Sequence, residues 1–463
     1  MIVTDYDSIS GKAETMKIGF ISLGCPKNQL DTEVMLHELL RAGYEVTPEE
    51  TEADIIIINT CAFIESAKQE AIDNILDVAW LKKHRSLKGI VVTGCLAERY
   101  REEILTELPE VDALLGVGSI HRIVDAVQSV ANRKKGSKAP KYTSFEDKNT
   151  VTLGGDRVLT TPEYYSYLKI AEGCDNRCTY CAIPSIRGKF RSRPMDELVA
   201  EAKDLAALGV KELNIVAQDI TRYGEDLYGS YRLHELLHRI TEETDIPWIR
   251  LLYCYPDKVT DELIAEIRDN DRIVKYIDMP LQHISDSVLR AMNRHGDSRM
   301  IREVIAKMRR EIKGLTLRTT FIAGFPGESE EDFEELCRFV DEMRFEHMGV
   351  FAYSAEEGTP AARMPDQIDE QVKQDRVDIL MKAQMQINAA QNEEKIGSVV
   401  RVLVEDFDPV SEAHFGRSAA DAPEIDGKVY FKADRRVAPG SMIDVKIREV
   451  VDYDLYGRGI IPN

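Results

Sequence analysis

The first part of the chain alternates short apolar runs with segments whose apolar residues recur at helical spacing. Residues 17–23, 54–61 and 89–95 contain continuous apolar runs, including four consecutive isoleucines at 55–58. Such runs are typical of strands that a parallel sheet buries on both faces. The helical pattern recurs over residues 30–40, 65–82 and 120–130, and a shorter strand is predicted at 113–115. Residues 16–132 therefore predict an open parallel α/β domain.

The alternation resumes after a segment without clear periodicity. Residues 133–161 begin with a basic, glycine-containing run and predict a linker. Over residues 162–394, strands are predicted at 167–171, 213–217, 249–252, 276–279, 317–322 and 348–353. The segments between them have helical spacing. Six β/α units predict a partial parallel barrel, in which ligands bind at the C-terminal ends of the strands.

The last part, residues 395–463, changes to short strands separated by turn residues. Asp426-Gly427 and Pro439-Gly440 are two of these turns. This pattern predicts a small antiparallel β-barrel, a fold that often binds nucleic acid. From Lys395 onward, however, ten Lys and Arg face twelve Asp and Glu. A barrel without a basic excess fits a basic protein partner at least as well as RNA.

Composition narrows the class of protein. The 463 residues suffice for about three domains. No apolar run approaches the roughly 18 residues that a membrane span needs, and the N-terminus lacks the layout of a signal peptide. We therefore expect no membrane partner and a cytoplasmic location. A net charge of −21 argues against a broad nucleic-acid surface and favours a basic partner.

The chain has eight cysteines, which are too few for a disulfide scaffold. Three of them lie in one short loop. Cys174, Cys178 and Cys181 have the spacing C-x3-C-x2-C. A cubane iron–sulfur cluster takes one protein ligand per iron, so three thiolates would leave one iron open for a substrate or cofactor. The alternatives are a zinc knuckle and three buried structural thiols. Zinc normally requires a fourth Cys or His close by, and none follows before His234.

Three further cysteines follow predicted strands of the first domain. Cys25, Cys61 and Cys95 each stand at the C-terminal end of a strand. In open α/β sheets this edge is where ligands bind, so the three thiols are expected to meet there. The alternative is three unrelated buried thiols, since free cysteine is often buried. Equivalent placement on three strands favours a second cluster.

The motifs together resemble a known family. C-x3-C-x2-C with Tyr180 before the third cysteine resembles the signature of radical S-adenosylmethionine (SAM) enzymes. The chain after residue 15 resembles the radical-SAM methylthiotransferases, whose C-terminal barrel is called the TRAM domain. The resemblance rests on the cysteine triplet, the barrel, Gly24-Cys25, Asn59-Thr60-Cys61 and Thr93-Gly94-Cys95.

Within that family, residues 22–28 resemble the branch that modifies an aspartate of the twelfth small-subunit ribosomal protein. The tRNA-modifying branch usually has a Gln-Met pair where this chain has Pro26-Lys27. The resemblance therefore implies methylthiolation of an aspartate β-carbon, with methylthiolation of a tRNA adenosine as the alternative. A redox-responsive iron–sulfur protein without catalysis is the alternative from another class.

The resemblance also implies cofactors and partners. Two [4Fe-4S] clusters are expected, one on Cys174, Cys178 and Cys181 and an auxiliary one on the other three cysteines. SAM would supply both the methyl group and the radical. The implied partners are a basic small-subunit ribosomal protein, an electron donor of the flavodoxin or ferredoxin type, and a sulfur source.

Further candidates lie beyond strand ends and after the cysteine loop. Four residues are expected to contact SAM, namely Gln218, Gln282, Gly324 and Gly327. No residue is assigned a catalytic role. Four basic residues follow the cysteine loop, namely Arg187, Lys189, Arg191 and Arg193. They are predicted to lie on a solvated loop, and the alternative is that they pair with the SAM carboxylate or the target aspartate.

Overall fold

The computed structural model describes residues 2–3, 16–134 and 139–460. The basic run at 133–138 therefore lies partly outside the described residues. In this part of the chain, no helix combines the length and the apolar composition needed to cross a membrane.

The N-terminal part folds around a six-stranded parallel sheet. The strands of the N-terminal part are β1 (Ile2–Val3), β2 (Lys17–Ser22), β3 (Glu45–Thr47), β4 (Ile55–Thr60), β5 (Gly89–Gly94), β6 (Ala113–Leu115), β7 (Tyr142–Ser144) and β8 (Arg157–Val158). Its helices are α1 (Pro26–Arg41), α2 (Glu65–His84), α3 (Cys95–Tyr100), α4 (Glu102–Glu107) and α5 (Ile123–Ala131). The sheet has the order β3-β2-β4-β5-β6-β7, and β1 pairs separately with β8.

The predicted open parallel α/β domain is confirmed. The strands predicted from long apolar runs are the central ones, and all their pairings are parallel. Sequence reasoning missed the edge strands β3 and β7, because each is three residues long and neither is a continuous apolar run. Within the segment predicted as a linker, β7 adds a sixth strand to this sheet.

The central part is a second parallel sheet with helices on its outside. The strands of this part are β9 (Tyr165–Lys169), β10 (Ala171–Glu172), β11 (Arg191–Ser192), β12 (Glu212–Val216), β13 (Trp248–Leu251), β14 (Ile273–Asp278), β15 (Thr316–Ala323) and β16 (His347–Ala352). Of these, β10 and β11 form a separate antiparallel pair outside the six-stranded parallel sheet. Its helices are α6 (Ile183–Arg187), α7 (Met195–Ala207), α8 (Glu225–Tyr228), α9 (Leu233–Glu243), α10 (Asp261–Asp269), α11 (Asp286–Ala291), α12 (Ser298–Glu311), α13 (Glu330–Met343) and α14 (Glu370–Glu393). The order β16-β15-β14-β13-β12-β9 is that of the predicted partial barrel.

The C-terminal part is a closed five-stranded barrel. Its strands are β17 (Val399–Asp408), β18 (Ala413–Ser418), β19 (Val429–Lys432), β20 (Met442–Val451) and β21 (Asp454–Ile460). The strands pair antiparallel as predicted, except that β19 and β21 run parallel.

The barrel docks at the N-terminal end of the central sheet. Glu212, the first residue of β12, accepts a hydrogen bond from Arg417 at 2.6 Å. His347, the first residue of β16, contacts the backbone oxygen of Ala420 through Nε2 at 2.8 Å. These contacts place the barrel at the end of the sheet opposite the loop that carries Cys174.

Candidate functional site

The structure brings Cys25, Cys61 and Cys95 to one edge of the N-terminal sheet. Cys25 caps the N-terminus of α1 just beyond β2, Cys61 directly follows β4, and Cys95 directly follows β5. These three strands are adjacent and parallel, so their C-terminal ends coincide. The predicted juxtaposition of three thiols is therefore present.

Two glycines allow the cysteine loops to approach each other closely. Gly24 has φ +94°, and a Cβ added there would lie 2.8 Å from the Cβ and 3.1 Å from the Sγ of Cys61. Gly94 has φ +93°, and a Cβ there would lie 2.4 Å from Asn59 Oδ1. Only glycine fits both the left-handed backbone and the available space.

The second trio lies on the loop between β10 and α6. Cys174 and Cys178 are buried and Cys181 is half-buried. The loop is tied to the central domain, since the Thr179 N–H donates to Met292 O at 3.0 Å and Asn176 Nδ2 donates to Asp219 Oδ2 at 2.9 Å. These anchors hold the thiols at the C-terminal edge of the second sheet.

The electrostatic surroundings of the first trio are cationic. Burial opposes ionisation of Cys25, but the Lys27 ammonium and the Arg187 guanidinium together hold the pKa of its thiol below the ordinary value. Burial raises the pKa of Cys95 to about 12, with Arg187 opposing the rise and the neighbouring Cys25 and Cys61 adding to it. The three groups are thus close enough to affect one another's ionisation.

Burial dominates the electrostatics of the second trio, and Lys258 and Arg294 are the nearby cations. Burial raises the pKa of Cys174 to about 11, and the Asp219 carboxylate adds to the rise. Burial also raises the pKa of Cys181, with Cys178 and Cys174 contributing. Metal binding by these thiols would therefore release protons, as thiolate coordination requires.

Each trio supplies soft thiol ligands of the kind that suit an iron–sulfur cluster. Within the described ranges, no group of three or more His, Cys, Asp and Glu side chains is arranged to hold one metal ion. In a cubane cluster each thiolate binds a different iron, so the ligand sulfurs stand further apart than around one metal. Three thiols per site provide soft ligands and leave one iron open.

A buried network of charges links the two trios. Arg187, at the end of α6, donates to Asp31 Oδ2 at 2.6 Å, to Glu172 Oε2 at 3.3 Å and to Asn28 Oδ1 at 3.0 Å. Lys169 donates to Asp31 Oδ1 at 2.5 Å and to Glu172 Oε2 at 2.9 Å. Since Asn28 and Asp31 lie on α1, the network joins the N-terminal and central domains between the two cysteine sites.

The prediction of a solvated basic loop is wrong for Arg187 and Arg193, which are both buried. Lys189 is exposed and Arg191 is half-buried. Arg187 pairs with Asp31 on α1 and Glu172 on β10, and Arg193 pairs with Glu201 on α7. Asp31 is distant in the chain, so its pairing with Arg187 left no local signal in the sequence.

All four residues that are expected to contact SAM lie beyond strand ends of the central sheet. The Gln218 amide donates to Glu172 Oε1 at 2.7 Å, so it extends the charge network. Gln282 has φ +73°, an unfavourable conformation for this residue type. The Gly324 N–H donates to Glu328 Oε2 at 2.9 Å and the Gly327 N–H donates to a backbone oxygen. Their contact with SAM stays a prediction.

A cavity of about 700 Å³ opens onto the second trio. Cys178 and Cys181 line it together with Arg99 and Tyr100 of the N-terminal domain and Glu357 of the central domain. Its walls therefore come from both α/β domains. It provides an approach from solvent to the space beside the cysteine loop.

Three family models match consecutive parts of the chain. Residues 17–116 match the Uncharacterized protein family UPF0004, residues 168–340 the Radical SAM superfamily, and residues 396–460 the TRAM domain. The second match implies SAM and a [4Fe-4S] cluster. The resemblance drawn from the motifs is thereby confirmed.

A solved structure shares the fold. The radical SAM methyltransferase TsrM of Kitasatospora setae superposes with a TM-score of 0.54 at 14% identity, covering 75% of this chain and 77% of that one. At this identity the likeness concerns the fold alone.

Two curated relatives extend over nearly the whole chain. Both bear the name ribosomal protein uS12 methylthiotransferase RimO. The protein of Caldanaerobacter subterraneus subsp. tengcongensis is 52% identical over 440 residues, covering 95% of this chain and 99% of that protein. The protein of Desulforamulus reducens is 49% identical over 442 residues, covering 95% and 98%. The chain therefore belongs to the RimO family of radical-SAM methylthiotransferases.

Proposed function

We propose that this enzyme methylthiolates the β-carbon of an aspartate in ribosomal protein uS12. The observation that carries the proposal is the pair of thiol trios, each at the C-terminal edge of a parallel sheet and joined by the Arg187 network. The names of the relatives supply the substrate protein. The net charge of −21 suits a basic ribosomal protein through electrostatic steering.

Each trio would hold one [4Fe-4S] cluster. Cys174, Cys178 and Cys181 would bind the cluster that receives SAM, and the other three cysteines would bind the auxiliary cluster. When bound, these groups supply the electron, the radical, the sulfur and the methyl group. The chain's own residues position the groups, exclude water from the buried thiols and balance their charge.

The placement of cations supports the assignment of the auxiliary cluster to Cys25, Cys61 and Cys95. Arg187 and Lys27 lower the pKa of Cys25, and Arg187 limits the rise at Cys95. A cluster held by three thiolates carries negative charge, and the Arg187 guanidinium, whose charge acts on both Cys25 and Cys95, stabilises it. The buried carboxylates Asp31 and Glu172 orient Arg187 toward the thiols through fixed hydrogen bonds.

The iron content tests the two-cluster assignment. Replacing the cysteines of either trio by alanine should lower the iron per chain to about half, because each cubane depends on one trio. The two triple variants should retain different spectra. Full iron loss in either variant would contradict two independent sites.

Substrate analysis tests the activity itself. The anaerobically reconstituted enzyme is incubated with SAM, dithionite, uS12 and tRNA. The proposal expects uS12 to gain the mass of one CH3S group replacing one hydrogen, mapped to an aspartate. Methylthioadenosine in tRNA with unchanged uS12 would assign the enzyme to the tRNA-modifying branch. In the cell, an electron donor of the flavodoxin or ferredoxin type would take the place of dithionite. A sulfur source would take the place of added sulfide.

A further inference from the structure

Lys27 lies where the edges of the two sheets face each other. It is the second residue of α1, two positions after Cys25, and it is only 7% exposed. Its Nζ lies 3.2 Å from the centre of the Tyr253 ring. Tyr253 stands two residues beyond the end of β13 in the central sheet. A cation from the first cysteine loop therefore reaches the C-terminal edge of the second sheet.

This cation has no carboxylate partner among the described residues. None of the ion pairs among the described residues includes Lys27. In contrast, the neighbouring cations Lys169 and Arg187 each pair with both Asp31 and Glu172. The Tyr253 ring gives partial compensation through a cation–π contact. A buried ammonium without a carboxylate is unfavourable, so a ligand that supplies one is stabilised there.

The partner ring is held in a strained position. Tyr253 has φ +69°, which is rare for a bulky residue. Its N–H donates to Asp278 Oδ2 at 3.0 Å and its backbone oxygen accepts from the Ile220 N–H at 3.1 Å. Strain of this kind persists where the surrounding structure fixes it, commonly at functional sites. The strained backbone thus holds the ring against Lys27.

We propose that Lys27 binds the side-chain carboxylate of the substrate aspartate. This inference rests on the proposed function, in which the reacting atom is the aspartate β-carbon. That carbon is bonded directly to the carboxylate carbon, so a cation that fixes the carboxylate also fixes the reacting atom. The position beside Cys25 places this carbon next to the proposed auxiliary cluster. Lys27 is then a determinant of specificity for an acidic side chain.

Arg187 is not suited to the same task. Its guanidinium already donates to Asp31, Glu172 and Asn28. Binding a substrate carboxylate would require breaking these buried bonds. Lys27, in contrast, contacts the Tyr253 ring and forms no ion pair among the described residues, so a substrate carboxylate would break none there.

A double-substitution experiment tests the inference. The enzyme variants are Lys27→Met, which removes the charge, Lys27→Arg, which keeps it, and Lys189→Met, a matched control at an exposed lysine. Each is assayed with uS12 and with a uS12 variant whose target aspartate is replaced by asparagine. Binding is measured with SAM and without reductant, so that no turnover occurs.

Lys27→Met should weaken binding of aspartate-containing uS12 by roughly 10- to 100-fold, the effect of losing one hydrogen bond to a charged group. It should leave binding of the asparagine variant unchanged. Lys27→Arg should retain part of the affinity, and Lys189→Met all of it. Iron content and the electron paramagnetic resonance spectrum of the auxiliary cluster should be the same in the three variants and in the unsubstituted enzyme.

Any of four outcomes would overturn the inference. Equal effects of Lys27→Met on both substrates would show that Lys27 does not contact the carboxylate. Loss of iron in Lys27→Met would show that the cation serves the cluster instead. If the unsubstituted enzyme leaves uS12 unmodified, the proposed function and this inference both fail. If the unsubstituted enzyme modifies uS12 but Lys27→Met binds uS12 as tightly as Lys189→Met does, only this inference fails.

Discussion

Arg187 donates to Asp31 at 2.6 Å across the boundary between the two α/β domains. Arg187 follows Cys181 by six residues, and Asp31 follows Cys25 by six residues. The ion pair therefore ties the loop of one cysteine trio to the loop of the other. Burial makes this connection rigid, since the side chains of Arg187 and Asp31 are only 3% and 6% exposed.

Replacing Arg187 by methionine should destabilise the protein strongly. The change leaves Asp31 and Glu172 buried with one fewer cation, and breaking a buried pair by removing one partner costs about 3–5 kcal/mol. The midpoint of thermal unfolding of the cluster-free protein measures the effect. Arg310→Met is the control, because its pair with Glu311 is exposed and worth about 0–1 kcal/mol. Equal shifts in the two variants would contradict the role of the network.

Replacing Gly24 by alanine should empty the auxiliary site selectively. The new Cβ would lie 2.8 Å from the Cβ of Cys61, so one cysteine loop must move. We expect the iron per chain to fall to about half, with the spectrum of the second trio's cluster retained.

Gly43→Ala is the matched control for that change. Gly43 also has a positive φ, +86°, but a Cβ there meets nothing within 4 Å. It therefore carries the same backbone strain without the steric contact. Iron loss in Gly43→Ala as large as in Gly24→Ala would show that strain, and not crowding at Cys61, is responsible.

Much of the fold follows from the sequence because its strands are buried on both faces. The isoleucine run of β4 is predictable because a continuous apolar run is typical of a strand that a parallel sheet buries on both faces. The meeting of Cys25, Cys61 and Cys95 follows for the same reason, because the C-terminal ends of adjacent parallel strands must coincide. The other trio follows from its C-x3-C-x2-C spacing within one loop. Local pattern and global fold agree at these positions.

The charge network could not be predicted in this way. Arg187 lies in a segment with four basic residues, which in isolation is typical of a solvated loop. Its partner Asp31 is more than 150 positions away in the chain. Lys27 likewise acquires its surroundings only when Tyr253 is brought against it. Contacts between domains leave no periodic signal in either segment.

The docking of the C-terminal barrel depends on a buried carboxylate. Glu212 accepts from Arg250 at 2.6 Å and from Arg417 of the barrel at 2.6 Å. Arg417→Met should loosen the barrel and speed proteolysis between α14 and β17 by at least roughly tenfold, since cleavage follows the population of the open form. Arg401→Met, which removes an exposed pair with Asp444 on the same barrel, should leave the rate unchanged. Equal rates in both variants would contradict this docking role.

The Glu172 carboxylate should make stability depend on pH in the acidic range. Burial opposes its ionisation, but Lys169 and Arg187 outweigh it and lower the pKa of Glu172 to about 2 from the ordinary 4.5. Because the folded-state pKa is the lower one, the stabilisation is present above pH 4.5 and is lost as the pH falls toward 2. At neutral pH it amounts to about 3 kcal/mol.

Glu172→Gln isolates this contribution from the other titrating groups. The difference in the free energy of unfolding between the unsubstituted protein and the variant should be largest near neutral pH and should shrink below pH 4.5. Denaturant unfolding at several pH values measures this difference. Glu163→Gln, at an exposed position, should give a small difference at every pH. A Glu172→Gln difference that stays constant with pH would mean that the pKa of Glu172 is the same in the folded and the unfolded protein, and that Lys169 and Arg187 do not lower it.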